Sequence, residues 1–204
     1  NSAPKIELPI PLIKKFVDAL PFKLTDDQRK AAWEIMCDLA GHTKLKVKSK
    51  KLKQETIPPM NRLLEGEVGS GKTVVAAMAV LAIKNAGFQS VWMAPTEILA
   101  LQHYKNVEKL LSPFGVKIGL LTSSYQKSEI KKITENDLVI GTHAVIQKDV
   151  HFLKLALIIV DEQHRFGVKQ RAALKQRTVI NEQRSVPHFL SMTATPIPRT
   201  LALS

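Results

Sequence analysis

The sequence predicts an α/β domain, a mostly parallel sheet with helices on both faces. Three observations predict it. Six short apolar runs recur along the chain with helical stretches between them, the alternation that parallel strands joined by crossover helices require. The runs are nearly continuous rather than alternating, as in "LALIIV" at 155–160, which suits strands buried on both faces. Polar residues of unusual type follow directly on strand ends, "GEVGSGKT" after "NRLLE" and "DEQH" after "LALIIV", and open α/β sheets bind ligands at that edge.

The elements follow in order. "PKIELPIPLIKKFVDALP", 4–21, is punctuated by prolines and reads as a leader or linker with one short helix, so residues 1–21 precede a domain running 22–204. "TDDQRKAAWEIMCDLAG", 25–41, reads as an amphipathic helix: Thr25 caps it, Gln28 completes a capping box, Asp26 and Asp27 suit its positive end and Gly41 stops it. The lysine-rich stretch 42–57 reads as an inserted loop or hairpin closed by Pro58 and Pro59. Strands are expected at 61–65, 89–94, 116–121, 138–141, 155–160 and 188–192, and helices at 72–86, 97–111, 125–133 and 168–176.

Composition narrows the function classes. A chain of 204 residues buries roughly 70% of its unfolded surface, enough for a core without staples. The single cysteine, Cys37, excludes an intramolecular disulfide and reads as a small buried hydrophobe. Thirty Lys and Arg against eighteen Asp and Glu leave a charge of +12, which favours polyanionic partners without identifying one. Six of the lysines fall in "KLKVKSKKLK", 44–53, a segment open to two readings, a solvated loop or a phosphate-contacting hairpin. Aromatic residues make up only 5%, which argues against a base-stacking platform. The longest apolar run, Val74 to Ile83, is well short of the ~20 residues that cross a bilayer, and no signal-peptide pattern opens the chain. The expectation is a soluble, cytoplasmic protein without a membrane partner. The chain begins without Met and stops within "TLALS", so a piece of something longer is expected.

"GEVGSGKT", 66–73, matches G-x-x-x-x-G-K-[ST] between a strand and an apolar helix. Gly69 and Gly71 let the backbone of Glu67, Val68 and Ser70 curl so that successive N–H groups face one anion, with the positive helix end aimed at it. Lys72 would reach the β- and γ-phosphates of a nucleoside triphosphate and the Thr73 hydroxyl would ligate Mg²⁺. The apolar run ending in Asp161 and Glu162 fits the same site: Asp161 would hold the ion through water and Glu162 would orient and deprotonate the attacking water. In isolation each feature has a plainer explanation, a glycine-rich turn for the first and a helix-capping start for the second.

Asp161-Glu162-Gln163-His164 resembles the D-E-x-H box of superfamily-two helicases. "FKLTDDQ" (22–28) resembles that group's Q motif, "APTEILALQH" (94–103) motif Ia, "GTHAVIQ" (141–147) motif Ib and "TATPIPRTLAL" (193–203) motif III and its continuation. With "MNRLLEGEVGSGKT", "MAPTEILA", "DEQHRFGVKQR" and "SMTATPIPRTLAL", the chain from about 20 onward resembles the first RecA-like motor lobe of the RecG-type branched-DNA translocases. The related transcription-repair coupling translocases usually have D-E-E-H and a Phe where Ser70 stands. Glu67 departs from the Asp usual in RecG-type proteins, and the insertion at 42–57 is longer than usual.

The resemblance implies a RecA-like P-loop NTPase fold, ATP and Mg²⁺ as cofactors, and forked or branched duplex DNA as partner in recombination and repair. It also implies a second RecA-like lobe and a wedge domain beyond this chain, no small-molecule substrate other than ATP, and work at the nucleoid in a bacterial cytoplasm. Residue by residue, Phe22 would stack on adenine and Gln28 select it, although Gln28 also serves the capping box. Lys72, Glu162 and His164 would carry the chemistry. Thr96, Glu97, Thr142 and His143 would meet the DNA backbone, with a plain N-cap the other reading of Thr96. His164, Thr193 and Thr195 would couple the γ-phosphate to the DNA surface, with a core histidine the other reading of His164; Arg165 and Arg199 would be internal clamps. An RNA helicase lobe, a small-molecule kinase, a nucleotide switch and a non-catalytic nucleic-acid adaptor are the rival readings. A kinase or a switch does not require motifs Ia, Ib and III, and an adaptor gives no reason for Glu162.

Overall fold

The computed structural model describes residues 2–41, 57–122, 127–147, 149–161 and 185–194. The expected helix at 168–176, residues 42–56 of the insertion, and Glu162, His164 and Thr195 lie outside them.

Helix α1 (Ile10–Asp18) begins behind Pro9 with Pro11 in its first turn, where the missing amide hydrogen costs nothing. Helix α2 (Asp26–Leu39) starts with the capping box read from the sequence: the Gln28 amide donates to Thr25 Oγ1 at 3.2 Å and the Thr25 amide to Gln28 Oε1 at 2.9 Å. Strand β1 (Asn61–Glu65) leads through the glycine loop into α3 (Lys72–Asn85), which buries every residue from Val74 to Ile83. A helix apolar all round belongs in the middle of a domain, and α1, α2 and α4 pack around it.

Strand β2 (Gln89–Met93), α4 (Glu97–Leu111), β3 (Ile118–Leu121), α5 (Lys127–Thr134), β4 (Leu138–Gly141), β5 (Leu155–Asp161) and β6 (His188–Thr193) follow among the described residues. Short 3₁₀ turns at Ser112–Phe114 and His143–Ile146 follow α4 and β4. The third strand starts two residues later than expected because Gly115, at φ +70°, closes the turn after α4 and Val116 donates its amide back to Leu111 at 3.4 Å.

The six strands form one sheet in the order β1-β6-β5-β2-β4-β3, every pair parallel. Side chains divide between the two faces with the strand period of two. Trp92 points to the face covered by α1 to α4, whereas Val91 and Met93 join Ile158, Val160 and Phe189 on the face covered by Ile130 of α5 and by Val145, Val150 and Phe152.

The proline-punctuated N-terminal segment is stitched into this body. Ala3 donates to the Ile57 carbonyl at 2.8 Å, Ile6 to that of Leu39 at 3.1 Å, and Ile6 and Phe16 are buried in the main core. His188, at the start of β6, accepts the Met60 amide on Nδ1 at 3.0 Å and places Nε2 3.0 Å from the Pro4 carbonyl, joining that segment, the approach to β1 and β6.

Candidate nucleotide and nucleic-acid site

The glycine loop leaves the carboxyl end of β1 with Gly69 at φ +85° and Gly71 at φ +82°, backbone conformations that cost an L side chain about 1–2 kcal/mol. Gly71 is also the residue before α3, so the loop delivers Lys72 and Thr73 to the first turn of a buried helix. That arrangement aims amide hydrogens and the positive end of the helix dipole into the loop. Lys72 Nζ donates to the Gly66 carbonyl and, at 2.9 Å, to that of Glu67, so the ammonium lies folded over the loop it would serve.

A cleft of about 420 Å³ opens here, lined among others by Gln28, Glu65, Gly66, Ser70 and Lys72. Gln28 spans it: its side-chain oxygen holds the start of α2, and Nε2 donates to the Ser70 carbonyl at 2.8 Å. Beside it a second cleft of about 460 Å³ is lined by Phe22, Thr73, Asn106 and Lys109. Phe22 is 47% exposed there, a flat apolar ring next to the helix turn that carries the Thr73 hydroxyl.

Strand order brings the other half of the site to the same edge. Sheet register pairs Glu65 of β1 with Thr193 of β6, and Met192 of β6 with Asp161 of β5, so all three strands end together. One strand separates β1 from β5, a lateral distance of roughly 10 Å. The first loop residue is bonded to the strand between: Gly66 donates its amide to the Thr193 carbonyl at 3.2 Å. Asp161 is half-buried at the end of its strand, and Oδ2 lies 2.7 Å from His103 Nε2.

On the far side of β5, β2 and β4 end side by side, and Ala94 donates to the Gly141 carbonyl at 2.8 Å. Thr96 and Glu97 are exposed at the start of α4, with Thr96 Oγ1 accepting the Leu99 amide at 3.3 Å as an ordinary N-cap. Thr142 and the exposed His143 open the 3₁₀ turn after β4. All four lie at the carboxyl edge that carries the glycine loop.

Residues 48–203 match the DEAD/DEAH box helicase family. The chain belongs to that family. The relatives agree over nearly its whole length: it is 48% identical over 199 residues to the ATP-dependent DNA helicase RecG of Thermotoga maritima, covering 95% of this chain and 23% of that one. It is 45% identical over 210 residues to the protein of that name from Aquifex aeolicus, covering 100% and 24%. A solved structure of RecG bound to a three-way DNA junction superposes with a TM-score of 0.76 at 40% identity, covering 98% of this chain and 25% of that one. The chain therefore spans about a quarter of the length of these relatives, and its parallel sheet is the RecA-like fold of a helicase domain.

Two features of this helicase domain escaped the sequence reading. His103 lay inside the stretch likened to motif Ia without a role, although Ala100, Val107 and Leu111 mark a buried stripe on which it falls. A polar side chain on such a stripe needs a partner, and that was the available signal. The bond from Gln28 to Ser70 joins residues 42 apart in sequence and left no local trace. Among the described residues no helix is long and apolar enough to cross a membrane.

Proposed function

We propose that this chain is the first RecA-like motor lobe, with 22–204 as the lobe and 1–21 leading into it, of an ATP-dependent DNA helicase or translocase. The intact protein would remodel forked or junction DNA in recombination and repair, at the nucleoid of a bacterial cytoplasm. The observation that carries the reading is the convergence of Lys72 and Thr73, Thr193 and Asp161 on one edge of the sheet, with the glycine loop bonded to Thr193. DNA as the partner, and a branched form of it, is carried over from RecG, whose junction complex this chain resembles along 98% of its length.

In this reading Phe22 stacks on adenine, Gln28 selects it, and the loop amides from Glu67 to Gly71 hold the phosphates. Lys72 swings from the Gly66 and Glu67 carbonyls to the β- and γ-phosphates. Thr73 offers a hydroxyl, a hard oxygen donor that Mg²⁺ accepts alongside phosphates and water, and Asp161 a carboxylate that would hold the ion through its water shell. When bound, that ion would neutralise negative charge on the triphosphate. Glu162, next to Asp161, takes the proton of the attacking water, while His164, Thr193 and Thr195 relate the phosphate to the DNA-facing surface. Thr96, Glu97, Thr142 and His143 form one wall of the DNA track.

The lobe alone should be nearly inert, because in comparable NTPases the arginine supplied from a facing element is worth ~10³–10⁵ in rate. The test is ATP turnover with and without forked DNA, by this lobe and by the intact protein. DNA-stimulated turnover is expected only from the intact protein, and Glu162→Gln should leave ATP binding while removing hydrolysis. Strong DNA-stimulated hydrolysis by the isolated lobe would defeat this division of labour.

A further inference from the structure

We propose that His103 is a positioning residue that fixes the Asp161 carboxylate for the metal-bound triphosphate; this rests on the reading of Asp161 as the residue that holds Mg²⁺. The two residues are 58 apart in sequence and meet through the fold: His103 Nε2 lies 2.7 Å from Asp161 Oδ2. A carboxylate only accepts, so Nε2 carries the proton and the bond is charge-assisted.

Both ends of this contact are set differently. Asp161 is the last described residue of β5, paired with Met192 of β6, and a strand ladder is made of backbone bonds that do not set side-chain torsions. His103 is anchored. It sits on the buried stripe of α4 between Ala100 and Val107, and its ring lies against Trp92, with centroids 5.2 Å apart and planes tilted by 40°. Trp92 is fully buried in the middle of β2, the strand paired with β5. The imidazole is thus a fixed donor with 13% of its side chain exposed, aimed at a carboxylate 15% exposed.

The bond uses one carboxylate oxygen and leaves the other for the water shell of a cation. Without the donor the carboxylate could rotate, and binding would bear the entropy of fixing it. Groups that orient metal-site side chains from behind are typically worth 10–100-fold in metal affinity. The anchor is also a helix whose first turn bears Thr96 and Glu97, about 9 Å along the axis from His103 at 1.5 Å per residue. The carboxylate is therefore tied to the element that carries the proposed DNA contacts.

The experiment measures binding of a fluorescent ATP analogue at fixed pH as magnesium is titrated, in the intact protein and in His103→Phe, His103→Gln and Asp161→Asn. Phe keeps a ring against Trp92 without the donor; Gln restores an N–H at similar reach. The expected result is a magnesium midpoint raised on the order of tenfold or more in His103→Phe, largely recovered in His103→Gln, with magnesium-free nucleotide binding unchanged. A wild-type magnesium midpoint in His103→Phe, while Asp161→Asn loses its magnesium dependence, would overturn this proposal alone. Equal losses in Phe and Gln, or a loss as large without magnesium, would make His103 structural and overturn it too. Failure of both His103 variants to fold would do the same. No magnesium-dependent binding by the wild type would bring down the nucleotide reading and this inference with it.

Discussion

Gln28 Nε2 donates to the carbonyl of Ser70 at 2.8 Å, fastening the first turn of α2 to the crown of the glycine loop. The same side chain closes the capping box through Oε1, so one amide group braces two elements. Gln28→Ala should therefore weaken GTP as well as ATP, by about threefold to tenfold, the worth of a hydrogen bond of about 0.5–1.5 kcal/mol. Titrating both nucleotides checks this. The loss common to the two measures the brace, any further loss for ATP measures base recognition, and unchanged GTP affinity would show that the brace does nothing.

Gly71 and Gly69 both hold positive φ, but their surroundings differ. A Cβ at Gly71 would collide with Gln28 Nε2, whereas one at Gly69 would meet nothing within 4 Å among the described residues. Gly69→Ala should bear only the backbone cost of about 1–2 kcal/mol. Gly71→Ala should add displacement of Gln28. In a Gln28→Ala background that added part should vanish, a coupling above about 0.5 kcal/mol that a double-mutant cycle on nucleotide affinity would resolve. Additive effects would separate the two residues.

Lys72→Met should lower affinity for a triphosphate by on the order of 10- to 100-fold, as expected for a charged hydrogen-bond donor worth about 1.5–3 kcal/mol. Stability without nucleotide should hardly change. The bonds given up end on the Gly66 and Glu67 carbonyls at a loop open to water, which can take the place of the ammonium. Thermal unfolding with and without nucleotide separates the two effects: wild type and variant should coincide without ligand and diverge with it.

What could be read from the sequence and what could not divide along sequence distance. All six strands lie where apolar runs were seen, and the capping box of Thr25 and Gln28 formed as its local pattern required. That Lys72, Thr73 and Asp161 would come to one edge of the sheet was legible, because each stands at or just beyond the carboxyl end of an expected strand. Strand order was not legible. That β6 lies between β1 and β5, bonding Gly66 to Thr193, depends on a crossover that no local pattern encodes. The same holds for Arg62, which reaches from β1 to Asp38 and, at 2.8 Å, to Glu34 on α2, partners that raise its pKa from the ordinary value with the Asp38 hydrogen bond foremost. In the sequence it is one basic residue in an expected strand.

His188 should make stability depend on pH below neutrality. Its ring is buried between the Met60 amide, which donates to Nδ1, and the Pro4 carbonyl, which accepts from Nε2, so the fold holds the neutral tautomer and leaves no room for a hydrogen on Nδ1. Burial lowers its pKa below 6.5, against weaker opposing effects of the Pro4 hydrogen bond and Asp38. The unfolded chain therefore binds the proton first as pH falls. The contribution is complete above about 6.5 and is lost as pH drops from there toward the folded pKa. Chemical-denaturation midpoints between pH 8 and 5 should decline in the wild type and decline less in His188→Gln, which can both donate and accept but does not titrate. His188→Ala should cost about 1–3 kcal/mol above pH 6.5, because it leaves the Met60 amide unpaired, and less at lower pH, where the wild type loses its own contribution. Parallel pH profiles for wild type and His188→Gln would show that the proton enters the folded ring freely.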